Sequence, residues 1–208
     1  MTKMKRIVLG VSGASGAAIA VRIAELLREL PHVETHLVIS RAAERTLEHE
    51  VGPDAIDRLS HLASRRYDVE DIGAPIASGS FATSGMIVAP CSIRTLSAIA
   101  AGIADNLLVR AADVHLKERR RLVLVARESP LHLGHLRAMS QLTECGAIIA
   151  PPVPAFYLRP RNIHEMVDHT ARRMLDLFKL GDEALATAWT GLEGSTAGAR
   201  KRRASGND

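Results

Sequence analysis

Aromatic residues are scarce in this chain: three Phe, two Tyr and one Trp among 208 residues. The core must therefore be built from aliphatic side chains. Cysteine is scarcer than Phe, with only Cys91 and Cys145, far apart and without a CxxC spacing. That excludes a disulfide scaffold and a thiolate zinc site, and it fits a reducing compartment. No apolar run approaches the roughly 18 residues of a membrane helix. No signal peptide is expected, because Met1-Thr2-Lys3-Met4-Lys5-Arg6 leads directly into a short apolar strand. A cytoplasmic protein with no membrane partner follows. Charge of one sign is modest too: the net charge is +4, and part of it sits in Arg200-Lys201-Arg202-Arg203. Basic residues are not interleaved with aromatics, so no nucleic-acid partner is expected. The Gly-, Ser- and Ala-containing stretch 193–208 reads as a disordered basic tail. Residues 1–192 are long enough for one full core and read as a single domain.

What the chain does have is alternation. Arg6 to Val11 is a short continuous apolar run, as in a buried parallel strand. Residues 17–30 carry Ile19, Ile23, Leu26, Leu27 and Leu30 on one helical stripe. Strands are predicted at 33–39, 86–90, 122–126 and 147–150. Helices are predicted at 41–49, 92–101, 107–119, 132–145 and 163–178. The segment 51–84 is less regular, and Ala74 to Ser84 reads as a long loop. Strands alternating with helices imply an α/β fold of three layers, a parallel sheet covered by helices on both faces. Ligands in such folds gather beyond the carboxyl ends of the strands. The segments to inspect are therefore 12–16, around 40, 90–95, 127–128 and 151–157.

The first of these, Ser12-Gly13-Ala14-Ser15-Gly16, joins a strand to a helix. Glycine lets backbone N–H groups approach an anion, and the helix start adds positive potential. A phosphate cradle is expected, with Ser15 as an added hydroxyl donor; a plain capped turn is the alternative. The pattern is neither GxGxxG nor a P-loop, because the glycines are evenly spaced by three and no GK[ST] follows. Ser40 reads as a helix cap. Pro90-Cys91-Ser92-Ile93-Arg94-Thr95 offers hydroxyls beside free N–H groups, either as a cap or as a second anion contact. Cys91 has no nearby His and reads as a packed thiol rather than a nucleophile. Arg110, Asp113 and Lys117 share one helical face, either as a surface ion-pair ladder or as a cationic face for an anion. Arg127-Glu128 follows a buried strand, so it stands at the ligand edge as a proton acceptor beside a phosphate holder, or as a loop ion pair. Tyr157 and Arg173 are further candidates; Arg173 flanks the inner stripe of its helix, whereas Arg172 points the opposite way. His132 and His135 lack metal-pair spacing and read as capping or surface residues.

Taken together, these segments resemble one family, the UbiX-type flavin prenyltransferases. The matching stretches are Gly13-Ala14-Ser15-Gly16, Ser78-Gly79-Ser80, Pro90-Cys91-Ser92 with Thr95, Arg110-Ala111-Ala112-Asp113, Leu116-Lys117-Glu118-Arg119-Arg120, Arg127-Glu128 with Pro130, and Pro154 with Phe156-Tyr157. The resemblance runs from about Lys5 to Trp189. It implies a Rossmann-like flavoprotein of the HFCD type. It also implies FMN and dimethylallyl phosphate as substrates, and a fourth ring joined between N5 and C6 of reduced FMN. The prenylated FMN then serves a UbiD-type decarboxylase. The resemblance implies a homo-oligomer based on trimers, up to a dodecamer.

By the same resemblance, Gly13, Ala14, Ser15, Ser40, Cys91, Ser92, Ile93, Arg94 and Arg127 match flavin-binding positions. Lys117, Arg127, Glu128, Tyr157 and Arg173 match the prenyl-phosphate site, and Arg110 a residue contributed by a neighbouring subunit. Glu50 matches an acidic residue that handles a proton at the flavin. Ser15, Glu50, Lys117 and Glu128 form the implied catalytic set. No metal is needed if cationic side chains hold the departing phosphate. Some relatives carry Trp before the Ala-Pro of the 74–80 loop. Here Asp71-Ile72-Gly73 stands there, so an aromatic wall is absent or supplied elsewhere. Arg121 replaces a frequent Pro, and His49 and Val51 around Glu50 are atypical. The alternatives are an FMN-dependent cysteine decarboxylase, whose Pro-x-Met-Asn signature and catalytic His are not found here, and a non-catalytic flavin-binding subunit of an aromatic-acid decarboxylase.

Overall fold

In a computed structural model of the chain, residues 4–191 are described. The expected tail at 193–208 lies outside them. The order is β1 (Lys5–Val11), α1 (Ala17–Arg28), β2 (Val33–Ile39), α2 (Arg41–Glu50), α3 (Ala55–Leu62) and β3 (Arg65–Tyr67). After these come β4 (Gly85–Cys91), α4 (Ile93–Ala100), α5 (Leu107–Lys117), β5 (Leu122–Ala126), α6 (Leu133–Glu144), β6 (Ile148–Ile149) and α7 (Ile163–Asp176). Single helical turns occur at Pro75–Ala77 and Phe156–Leu158.

All six strands are parallel, in the order β3-β2-β1-β4-β5-β6. Strand side chains alternate between two apolar clusters, as a period of two requires. Ile7, Leu9 and Val11 of β1, Ile87 and Ala89 of β4, and Val123 and Val125 of β5 face α1, α2, α3 and α7. Val8, Met86, Val88, Leu122 and Leu124 face α4, α5 and Leu142 of α6. Both faces of the central strands are therefore buried, which is why those strands read as continuous apolar runs. This is the three-layer α/β arrangement expected from the sequence, Rossmann-like in its doubly wound order.

The main difference lies in 51–84, which contains α3 and β3. The helix has only eight residues, and β3 has three, two of them exposed arginines. Neither is long enough to leave a periodic signal. The sheet thus has six strands where the pattern indicated five. Several predicted ends also run past the observed ones: α5 stops at Lys117, and β6 contains two residues rather than four.

Candidate active site

The chain winds from β1 outward to β3, then returns to β4 on the other side of β1. The switch point is therefore the crevice at the carboxyl ends of β1 and β4, the usual ligand position in such sheets. The turns after neighbouring strands are tied together there. Ser40 N–H donates to Val11 C=O at 2.9 Å, and Arg127 N–H donates to Cys91 C=O at 3.0 Å. Ser12 links the two central turns: its hydroxyl donates to Pro90 C=O at 3.0 Å and accepts from Ser92 N–H at 2.7 Å. Gly13, Ala14, Ser15, Ser40, Cys91, Ser92, Ile93, Arg94, Arg127 and Glu128 thus gather on one edge.

The glycine turn is not the open anion cradle that its sequence suggests. The Gly16 and Ala17 N–H groups donate to the Glu50 carboxylate at 2.8 and 2.9 Å. A side chain of this protein already provides the negative charge at the start of α1. Gly13 is needed for packing: a Cβ there would lie 2.5 Å from the Ala42 Cβ of α2. Gly16 takes the left-handed conformation at φ 106°, which lets the chain turn into α1. Partial burial works to raise the Glu50 pKa. The Ser15 hydroxyl, the Ala17 and Gly16 N–H groups and the Arg127 charge outweigh it, so Glu50 sits below the ordinary carboxylate value. Ser15 and Arg127 are thus close enough to act on the Glu50 charge.

The start of α4 differs. Ser92 caps it, accepting from Thr95 N–H at 3.3 Å. Among the described residues, no protein acceptor takes the Ile93 or Arg94 N–H groups. Arg94 is paired with Asp105 at 2.6 Å at the rim. Ser40 caps α2 through Ala43 N–H at 3.2 Å, as expected. Cys91 is completely buried, and burial pushes its thiol up to about 12. It is a packed thiol, not a thiolate nucleophile. Arg127 and Glu128 are both exposed; Glu128 accepts from its neighbour Ser129 N–H at 3.0 Å rather than pairing with Arg127.

Three expected site residues stand elsewhere. Lys117 ends α5, pairs with Glu118 at 2.5 Å and lies against Gly79. Just past it, the Arg121 C=O accepts from Met86 N–H at the amino end of β4. A seven-residue strand is about 23 Å long, so Lys117 stands at the opposite edge of the sheet from Glu128. Arg110, on the same helix, donates to Ala77 C=O at 3.2 Å and pairs with Asp113 at 2.8 Å. Arg173 is exposed in the last turn of α7, whose next residue, Leu177, accepts from Arg121 at that same amino edge. Arg172 pairs with Asp168 at 2.8 Å. Tyr157 lies edge-on to Trp189, with ring centroids 5.1 Å apart. Ile72, beside which the resemblance implied an aromatic wall, is 61% exposed. His132 caps α6, as expected, and its ring lies tilted against His135 with centroids 3.5 Å apart.

The sequence reading missed Ser12 as a link and Glu50 as the occupant of the α1 start. Both depend on partners 33 to 80 positions away, and no local pattern records such pairs.

The model of the Flavoprotein family matches residues 1–174. The chain is 51% identical to the flavin prenyltransferase UbiX of Escherichia coli K12 over 189 residues, covering 90% of this chain and 100% of that protein. It is 54% identical to the flavin prenyltransferase UbiX of Thauera aromatica, covering 90% of this chain and 95% of the relative. The crystal structure of AnUbiX (PadA1) in complex with FMN and dimethylallyl pyrophosphate superposes with a TM-score of 0.86 at 47% identity, covering 91% of this chain and 99% of that one. A dodecameric FMN-dependent UbiX-like decarboxylase from Escherichia coli O157:H7 gives 0.85 at 46% identity, with 89% and 100% covered. The FMN-dependent cysteine decarboxylase TvaF, at 17% identity and a TM-score of 0.57, shares the fold alone. The chain belongs to the UbiX flavin prenyltransferase family of flavoproteins.

Proposed function

We propose that this protein joins a dimethylallyl group to N5 and C6 of reduced FMN, and that its product serves a UbiD-type decarboxylase. The observation that carries the reading is the switch-point edge, where Ser15, Glu50, Ser92 and Arg127 converge in a chain of this family. The residues fit FMN: the Ile93 and Arg94 N–H groups beside the Ser92 cap form an anion position on a helix start. Because Glu50 fills the α1 start, the flavin phosphate is assigned to Cys91–Arg94, with Gly13, Ala14, Ser15, Ser40 and Arg127 holding the rest of the group.

Reduced FMN supplies the nucleophilic N5 and C6. The protein's part is mainly electrostatic. Cleavage of the allylic C–O bond leaves negative charge on phosphate, which Arg127, Lys117 and Arg173 stabilise. Glu128 exchanges a proton with that phosphate, and Tyr157 donates to it. The exposed Tyr157–Trp189 pair offers apolar surface to the prenyl group. Glu50 is held ionised, so it is a weak base. It orients the Ser15 hydroxyl, while Glu128 and the released phosphate would take the N5 proton, protonate the prenyl double bond so that its tertiary carbon can accept C6, and then take up the C6 proton. The donor is taken as dimethylallyl phosphate, whereas the AnUbiX complex contains the pyrophosphate, so both belong in the assay.

Arg110, Lys117 and Arg173 complete a site only if another subunit presents them. A homo-oligomer based on trimers, up to a dodecamer, satisfies this. The face of α6 is suited to such assembly: Leu142 is its only buried residue, and Leu133 and Leu136 are exposed. No helix among the described residues is long and apolar enough to cross a membrane. We place the protein in the cytoplasm, as one flavin-binding domain over 1–192. The test is anaerobic incubation with reduced FMN and each donor, followed by a mass spectrum of the flavin. A prenylated flavin is expected; bound but unmodified FMN with both donors would contradict the reading.

A further inference from the structure

Ser12 directly follows β1 and is 1% exposed, so it is shielded from ligand and solvent alike. It makes three hydrogen bonds to the end of β4. Its N–H donates to Pro90 C=O at 3.2 Å, its hydroxyl donates to that carbonyl at 3.0 Å, and the same hydroxyl accepts from Ser92 N–H at 2.7 Å. The reason lies in the ladder. β1 and β4 pair regularly only as far as Gly10 and Val88. Pro90 brings no N–H, and on its other side β4 shifts register against β5 between Val88 and Cys91. One backbone bond, from Ser12 N–H to Pro90 C=O, crosses this stretch, and the serine hydroxyl, donor and acceptor at once, adds two more.

The bond has a consequence for the crevice. Ser12 is contiguous with Gly13–Ser15, and Ser92 is the cap of α4. One buried hydroxyl therefore sets the distance between the two turns that face each other at the switch point. We infer that Ser12 is a positioning residue for the flavin site: it fixes Ser15 relative to the α4 N–H groups without touching the flavin. This rests on the flavin reading above. Loss of the hydroxyl leaves Ser92 N–H without an acceptor and lets the α4 start shift, and small shifts at a binding edge are costly.

The test uses the full chain and FMN itself. Affinity is measured by flavin fluorescence titration, and melting temperature alongside it, for wild type, S12A, S12C, S12T and T83A. Thr83 is the comparator, because its hydroxyl bonds the buried His115 ring at 2.8 Å at the amino edge of the sheet. S12A is expected to weaken FMN binding about tenfold, and S12T to stay within about threefold of wild type. T83A is expected to melt lower with unchanged FMN affinity. The near-isosteric S12C, which makes only weak hydrogen bonds, carries the test if S12A does not fold; it should also weaken binding. Wild-type affinity in S12A or S12C overturns the inference and leaves the flavin reading intact. So does a T83A variant that loses FMN as strongly, because the effect is then general destabilisation. A wild-type chain that binds no FMN overturns the flavin reading, and the Ser12 inference with it.

Discussion

Helices α1 and α4 both follow a central parallel strand, both open at the carboxyl edge, and Ser12 ties their starts together. Their first N–H groups nevertheless have different partners. At α1 the Glu50 carboxylate takes Gly16 and Ala17. At α4 the Ser92 hydroxyl takes Thr95, while no protein acceptor among the described residues takes Ile93 and Arg94. A helix start is an anion site only when the protein has not filled it with its own anion. At the glycine turn, Gly16 and Ala17 already have Glu50 as their partner; at Cys91–Arg94, among the described residues, no protein acceptor takes the Ile93 and Arg94 N–H groups.

The largest expected effect concerns the two edges of the sheet. K117A and E128Q should each lower kcat/KM by about 100-fold or more, because each removes a group proposed to act on the departing phosphate. Oligomers reassembled from both variants should regain turnover if, as proposed, one subunit supplies Lys117 and another Glu128. Mixed oligomers as inactive as their parents would break the comparison between edges.

Next comes the α1 start. E50Q should lower kcat by roughly tenfold or more, since Ser15 loses its charged partner, with a smaller change in FMN affinity. The pH dependence follows from the lowered Glu50 pKa. Its ionised form stabilises the fold above the unfolded carboxylate value, and that contribution is lost as pH falls through the folded value. The melting-temperature gap between wild type and E50Q should therefore close in acid. A gap that widens in acid would mean that Glu50 is protonated in the folded protein.

At α4, S92A should raise the FMN Kd about tenfold, combining a lost cap with a lost hydroxyl contact. Away from the crevice, His115 gives a stability effect. Burial lowers its pKa to about 4, so the unfolded chain takes up the proton first as pH falls below the ordinary histidine value near 6.5. Stability on the order of 3 kcal/mol should be lost between about pH 6.5 and 4. Urea melts of wild type and H115Q across that range would show it as a steeper acid decline in wild type. The smallest effect belongs to Cys91: C91A should keep turnover within about threefold, because a thiol pushed up to about 12 is not the nucleophile.

Much of this could be read from the chain. β1, β4 and β5 were legible because burial on both faces makes them continuous apolar runs. β3 was not, because Arg65 and Arg66 are exposed and only Tyr67 is buried. The Arg110–Asp113 pair has the spacing its helix face implied. The site was legible as a set of post-strand segments, but its division was not. That Glu50 reaches back 34 positions to α1 depends on how α2 runs across the top of the sheet. That Lys117 faces away from Glu128 depends on the direction of α5, which no motif records.

The most direct measurement is a crystal structure of the FMN complex that locates the flavin phosphate. The phosphate should lie on the Ile93 and Arg94 N–H groups beside Ser92, with the Glu50 carboxylate still on Gly16 and Ala17. A phosphate bound at Gly16 and Ala17, with Glu50 displaced, would contradict the assignment of the two helix starts.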